Sequence, residues 1–180
     1  IEQCREKGID IVRRRTGGGT VLHDKEITYS VIAPVGLFST GIRESYQEIC
    51  SWIIQALQKF KIPAEFKPIN DILVEGKKIS GNAQTRRNNV LLQHGTILYQ
   101  VDVDVMFSLL KVGREKMSDK FVQSVKKIVT AVKQEKRFVT RTDLYEALLQ
   151  SFTAEKEWSF GELTEEEKRR AEQLVEERYS

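Results

Sequence analysis

Two stretches of this sequence hold residues whose types and spacing suit the handling of an anionic ligand. The first runs Arg13-Arg14-Arg15-Thr16-Gly17-Gly18-Gly19-Thr20-Val21-Leu22-His23-Asp24. Three consecutive glycines strip the side chains from a run of backbone, so a ligand can lie on the peptide groups and N–H groups can face an anion. The flanking arginines add planar, bidentate donors for phosphate or carboxylate. A flexible loop or a tight turn has the same composition, and both readings stay open. The second stretch, Asn70 to Gln84, reads as a strand over Ile72 to Glu75, a turn at Gly76, and a second strand entered through Lys77 and Lys78 and left through Gly81. Lys78 is its central residue. Leaving the turn beside the small residues Ser80 and Gly81, it can reach a ligand against the backbone and act as a point charge on an oxygen. A solvated hairpin lysine carries the same pattern.

These residues need elements to hold them. A strand is expected at Ile9 to Val12, before the glycine run, with a helix ahead of it over Ile1 to Lys7. Glu26 to Ala33 alternates as a half-buried strand should, and Pro34 with Gly36 ends it. From Ile42 the period changes: Ile42, Tyr46, Ile49, Ile53, Leu57 and Phe60 share one helical face, with Ser39 or Thr40 as cap and Pro63 as stop. Ala64 to Lys67 reads as a short strand. Asn88-Asn89 is a hairpin turn, because asparagine tolerates positive φ, and it sends Val90 to Tyr99 back beside the Lys78 strand. His94, Gly95 and Thr96 then lie near Lys78, although a buried histidine bonded to backbone is the other reading of His94. Helices are expected at Val105 to Lys111, Ser118 to Lys133, Thr142 to Phe152 and Thr164 to Glu177, the last with a capping box of Thr164 and Glu167. The pattern predicts an α/β domain with a mixed, largely antiparallel sheet and helices packed on it.

Composition narrows the function. The 180 residues, 40% of them hydrophobic, suffice for one domain with a proper core. No apolar run is long enough to span a membrane. Two cysteines, Cys4 and Cys50, make no disulfide framework, and a reducing cytoplasm is the expected setting. A net charge of +3 from 29 basic and 26 acidic residues carries no strong demand for nucleic acid. Arg13 to Arg15, Lys77-Lys78, Arg86-Arg87 and Lys126-Lys127 could form a basic patch, but aromatic residues are not interleaved with them as base stacking requires.

Together the two stretches resemble the catalytic domain of the lipoate-protein ligase A family, within the biotin and lipoate ligase group. The likeness rests on Arg14, Gly17, Gly18, Gly19, Val21, His23 and Asp24, then Asn70, Asp71, Lys78, Gly81 and Ala83, then His94, Gly95 and Thr96. It covers Ile9 to Leu98 in the family's order. The resemblance implies an ATP-dependent ligase that activates lipoate or octanoate to an acyl-adenylate and passes it to a lysine of an acceptor domain. Lys78 would bridge the acyl carboxylate and the α-phosphate, and Arg14 would hold phosphate. The glycines would let the ligand approach the backbone. Asn70 and Asp71 would contact the adenylate, with Asp71 on the accompanying Mg2+. Val21, His23, Ser80, Gly81, Ala83, His94, Gly95 and Thr96 would complete the substrate and nucleotide site. The implied partners are lipoyl domains of 2-oxoacid dehydrogenases and the glycine cleavage H-protein, together with an accessory domain or separate accessory protein. The family has further strands ahead of the position where this sequence starts, so a trimmed catalytic domain is expected.

A rival within the same group is a transferase that moves octanoyl or lipoyl groups from a thioester carrier without ATP. One branch uses a cysteine just before the Lys78 block, where this chain reads Ala64-Glu65-Phe66-Lys67-Pro68; another places it near His94, and Val90 to Leu98 has none. That absence favours the ligase, while Gln84 to Arg87 and Leu92 to Gly95 lie close to the cysteine branch. A hydrolase built on Ser80, His94 and Asp71 is disfavoured, since Ser80 lies in no nucleophile elbow.

Overall fold

The computed structural model describes residues 2–38, 41–109 and 128–179. The chain divides into two compact units, Thr16–Ala154 and a smaller one made of Ile1–Arg15 with Glu155–Ser180. The larger unit is built on one antiparallel sheet of β1 (Ile27–Pro34), β2 (Ala64–Lys67), β3 (Asp71–Val74), β4 (Lys77–Arg87) and β5 (Val90–Ile97), in the order β1-β5-β4-β3-β2. The α/β class with an antiparallel sheet is therefore as expected. Two tight turns set the register. Asn88 (φ 52°) and Asn89 (φ 61°) close β4 onto β5, and Glu75 (φ 48°) with Gly76 (φ 76°) closes β3 onto β4. Positive φ at both central residues gives the turn twist that matches the strands.

Helix α2 (Ile42–Gln58) covers one face of the sheet, here called the inner face. Its N-cap is Gly41, without a side-chain bond; Ser39 and Thr40, the expected caps, lie outside the described residues. It stops where Lys61 turns to φ 56° and the Ile62 N–H reaches back to the Leu57 carbonyl, just ahead of Pro63. Ile49, Cys50, Ile53, Ala56 and Leu57 are fully buried. The core cluster joins Cys50, Ile53, Ala56 and Leu57 with Ile27, Ile72, Val74, Ile79 and Ile97 of the sheet. Leu144, Ala147 and Leu148 join them from a second helix, Arg141–Thr153. Ile53→Ala should lower the unfolding free energy by about 2–5 kcal/mol, read as a reduced urea midpoint at unchanged slope.

The other α-helices among the described residues are α1 (Glu2–Glu6), α3 (Val103–Leu109), α4 (Val132–Glu135), α5 (Arg141–Thr153) and α6 (Glu165–Leu174). Thr164 and Glu167 form the expected capping box on α6, and Thr140 with Asp143 forms another on α5. The threonine bonds hold both carboxyl groups below their usual range.

Two expected elements differ. Ile9 to Val12 is not a strand, and Ile11 and Val12 are half or more exposed. Of the helix expected over Ser118 to Lys133, residues 118–127 lie outside the described ones, and 128–131 are not helical. Instead the Lys78 N–H donates to the Ile128 carbonyl at 2.8 Å and the Thr130 N–H donates to the Lys78 carbonyl at 3.0 Å. β5 ends at Ile97, and the run Ile128-Val129-Thr130 takes up the backbone of β4 beyond that end. β-branched residues suit that pairing, and tertiary context overrides their helical spacing.

Candidate active site

Strand alternation sorts the sequence candidates onto two faces. Ile27, Ile97, Ser80 and Ile72 align across the sheet, as do Tyr29, Gly95 and Asn82, and these residues belong to the inner face. Thr28, Thr96, Gly81, Asp71 and Lys67 form one row across the opposite, outer face, and Ser30, His94 and Ala83 form the next. The outer face therefore gathers Asp71, Gly81, Ala83, His94 and Thr96 from three strands that follow one another in sequence.

Lys78 joins them because the β3–β4 register breaks. Ile72 pairs with Ser80 but Leu73 pairs with Lys78, so Ile79 is an extra residue opposite that step. A bulge puts neighbouring residues on the same side, and Ile79 and Ser80 are both fully buried. Without it Lys78 would share the face of Ser80. With it the Lys78 side chain lies over Gly81: a Cβ built there would sit 2.7 Å from Lys78 Cε and 2.9 Å from Nζ. The Lys78 ammonium meets Asp71 Oδ1 at 2.6 Å, in an ion pair that is not an aligned hydrogen bond. Both side chains keep partial exposure, 41% for Lys78 and 30% for Asp71, so a ligand on the outer face can reach them.

The glycine run is tied to the same face. Thr16 is buried, and its hydroxyl bonds His94 Nε2. Gly18 has φ 110°, which side-chain-bearing residues rarely adopt, and Gly17 and Gly19 have open space where a Cβ would be. Val21 and His23 are exposed in the loop that follows. His23 Nδ1 lies 2.6 Å from Glu26 Oε1, and Glu26 is buried.

Other candidates are placed differently. Ser80 is buried on the inner face, and its hydroxyl points to Asn82 Oδ1 at 3.4 Å. Gly95 also faces inward, where a Cβ would meet the Asn82 side chain and come within 2.8 Å of the Tyr29 ring. Asn70 donates from Nδ2 to the Asn82 carbonyl at 2.6 Å and accepts from Asn82 Nδ2 at 2.9 Å, which anchors the approach to Asp71. Arg14 belongs to the smaller unit. Asp71 is engaged with Lys78, and among the described residues no group of three or more His, Cys, Asp or Glu is placed to hold a metal ion, so no metal role is derived for it.

The inner face carries an unforeseen polar chain. Tyr29 donates to Asn82 Oδ1, Gln93 donates to the Tyr29 hydroxyl, Gln84 donates to Gln93 and Ser45, and Arg86 donates to Ser45 and the Gly41 carbonyl. Cys50 lies at its edge, fully buried, and burial pushes its thiol up to about 12. Such a thiol supplies almost no thiolate at neutral pH. Cys4 belongs to the smaller unit.

Comparison with known proteins identifies the family. Residues 1–153 match the family model described as the lipoyl protein ligase A/B catalytic domain. Octanoyltransferase LipM of Brevibacillus brevis is 33% identical over 208 residues, an alignment covering 100% of this chain and 75% of the relative. Octanoyltransferase LipM of Staphylococcus epidermidis is 36% identical over 152 residues, covering 68% of this chain and 55% of the relative. A solved structure described as a bi-partite lipoate protein ligase and its E2 lipoyl domain, from Thermoplasma acidophilum, superposes with a TM-score of 0.87 at 27% identity, over 99% of this chain and 71% of that one. Lipoate-protein ligase A bound with ATP gives a TM-score of 0.82 at 24% identity, over 99% and 72%, a likeness of fold alone.

The names of the curated relatives correct one expectation. They describe an octanoyl transfer and so overturn the reading of this chain as an ATP-dependent ligase forming an acyl-adenylate. That reading had leaned on a missing cysteine, which removes one route for the acyl group and not the transfer itself.

Proposed function

The chain belongs to the lipoyl protein ligase A/B catalytic domain family, and on that premise we propose that it transfers an octanoyl or lipoyl group from a thioester carrier to a lysine of an acceptor lipoyl domain, without ATP. A thioester is already an activated acyl group, so the acceptor amine can attack it with no adenylate between. The observation that carries the reading is the Lys78 ammonium over Gly81, paired with Asp71 on the outer face of the sheet. When the amine adds to the thioester carbonyl, negative charge collects on the carbonyl oxygen. A fixed ammonium beside that oxygen lowers the barrier most. Asp71 aims the ammonium, and the skew of their contact leaves ammonium protons for the oxyanion.

The thiol inventory supports direct attack by the acceptor amine. Cys50 is sealed beneath the sheet with its thiol protonated, so no cysteine of the larger unit can relay the acyl group. The glycine run, tied to His94 through Thr16, offers bare backbone for the acyl chain or the carrier arm.

The test is the intact mass of an acceptor lipoyl domain incubated with the full-length protein under two conditions. An octanoyl-thioester carrier without ATP should add one octanoyl group. Lipoate with ATP and Mg2+ should add nothing. Mass gained only in the ATP arm would sink the proposal.

A further inference from the structure

We infer that His23, held by Glu26, is the group that takes the proton from the acceptor lysine; the inference rests on the transfer proposed above. Amine attack on a thioester has a requirement that Lys78 cannot meet. A lysine side chain is protonated at neutral pH and carries no lone pair until a base removes a proton. Lys78 itself is an ammonium against a carboxylate, with no site for another proton.

His23 has the features of such a base. Its Nδ1 lies 2.6 Å from Glu26 Oε1, and the Glu26 side chain is 7% exposed while that of His23 is 59% exposed. The carboxylate is itself held, because its other oxygen accepts the Asp24 N–H at 2.8 Å. The Glu26 carbonyl accepts from Arg141 of α5 at 3.0 Å, which pins this residue to the body of the unit. A buried carboxylate, held by a backbone N–H and set on one ring nitrogen, fixes tautomer and ring direction and leaves Nε2 as acceptor. The ring contacts Glu26, and the next two residues, Asp24 and Lys25, pair with each other at 3.7 Å.

The location agrees. Glu26 immediately precedes Ile27, whose side chain enters the core, so alternation directs Glu26 toward the outer face with Thr28. β1 lies two strands from β4, about 10 Å at ordinary strand spacing. His23 stands in the loop that enters β1, held to Glu26 at the start of that strand.

The step balances as follows. The acceptor ammonium gives one proton to His23 Nε2. The freed amine nitrogen bonds to the carbonyl carbon, and the carbonyl π pair moves onto oxygen beside Lys78. Collapse breaks the C–S bond; His23 returns its proton to the departing thiolate, and the second nitrogen proton leaves to water. The products are the amide, the thiol and one proton.

His23→Gln and Glu26→Gln test the assignment with octanoyl-N-acetylcysteamine as donor and two acceptors, an isolated lipoyl domain and hydroxylamine, which is neutral without help from a base. His23→Gln should lower kcat for the domain by about 10²-fold at unchanged KM. It should also leave transfer to hydroxylamine intact. Glu26→Gln keeps a hydrogen-bonding group and should fall between the two. Equal loss with both acceptors overturns the assignment and leaves the transfer standing. A wild-type protein that acylates neither acceptor overturns both.

Discussion

Lys78→Ala is expected to slow octanoyl transfer by about 10²–10³-fold, the usual cost of removing one oxyanion donor, with the thermal unfolding midpoint nearly unchanged. The side chain is 41% exposed and the Asp71 pair partly solvated, so its contribution to folding is about 0–1 kcal/mol. Backbone bonds to Ile128 and Thr130 do not involve the ammonium and survive the substitution. Lys78→Arg should rescue little, because a planar guanidinium does not fit the space that an ammonium occupies over Gly81. Single-turnover rates beside a melting curve check both halves of the expectation. A variant that transfers at the wild-type rate would remove Lys78 from the reaction.

Gly81→Ala should cost almost as much, about 10²-fold, without adding or removing any charge. The new methyl group would stand 2.7 Å from Lys78 Cε and 2.9 Å from Nζ, so the flexible end of the lysine must swing off the sheet. The third neighbour, Asp71 Oδ1 at 3.9 Å, is in ordinary contact, and the strand can remain as it is. Gly36→Ala, where a Cβ meets nothing within 4 Å, is the control for a glycine replaced without effect. The decisive comparison is the double variant. If Gly81 acts through Lys78, Gly81→Ala costs little more in a Lys78→Ala background. Full additivity would show that the methyl group acts by another route.

Local chemistry made much of this fold legible. The Asn88-Asn89 turn, the apolar stripe of α2 from Tyr46 to Leu57 and the Thr164 capping box are each written within a few residues and stand where the pattern predicts, whereas Ile42 at the head of that stripe is exposed. The face on which Lys78 emerges was not legible. Simple alternation groups it with Ser80, and the bulge that moves it beside Gly81 is a mismatch between two strands that neither announces alone. Residues 128–130 mislead for a similar reason, since their apolar spacing suits a helix until a vacant stretch of β4 competes for the backbone. Glu26 was readable only as the first residue of a strand. An acidic residue three positions after a histidine was the available signal, and its meaning depends on a loop that folds the two together.

The two flanks of Lys78 reach the site on different schedules. The β3–β4–β5 segment is joined by two-residue turns and brings Asp71, Gly81, Ala83, His94 and Thr96 together from neighbouring sequence. The partner that holds the Lys78 backbone, Ile128 to Thr130, arrives only after everything between Leu98 and that point has been made. Contacts that close long loops form later than local ones. A nascent chain can therefore display a nearly complete outer face while the start of β4 is still unclamped, and full competence at Lys78 waits for residues that touch no substrate.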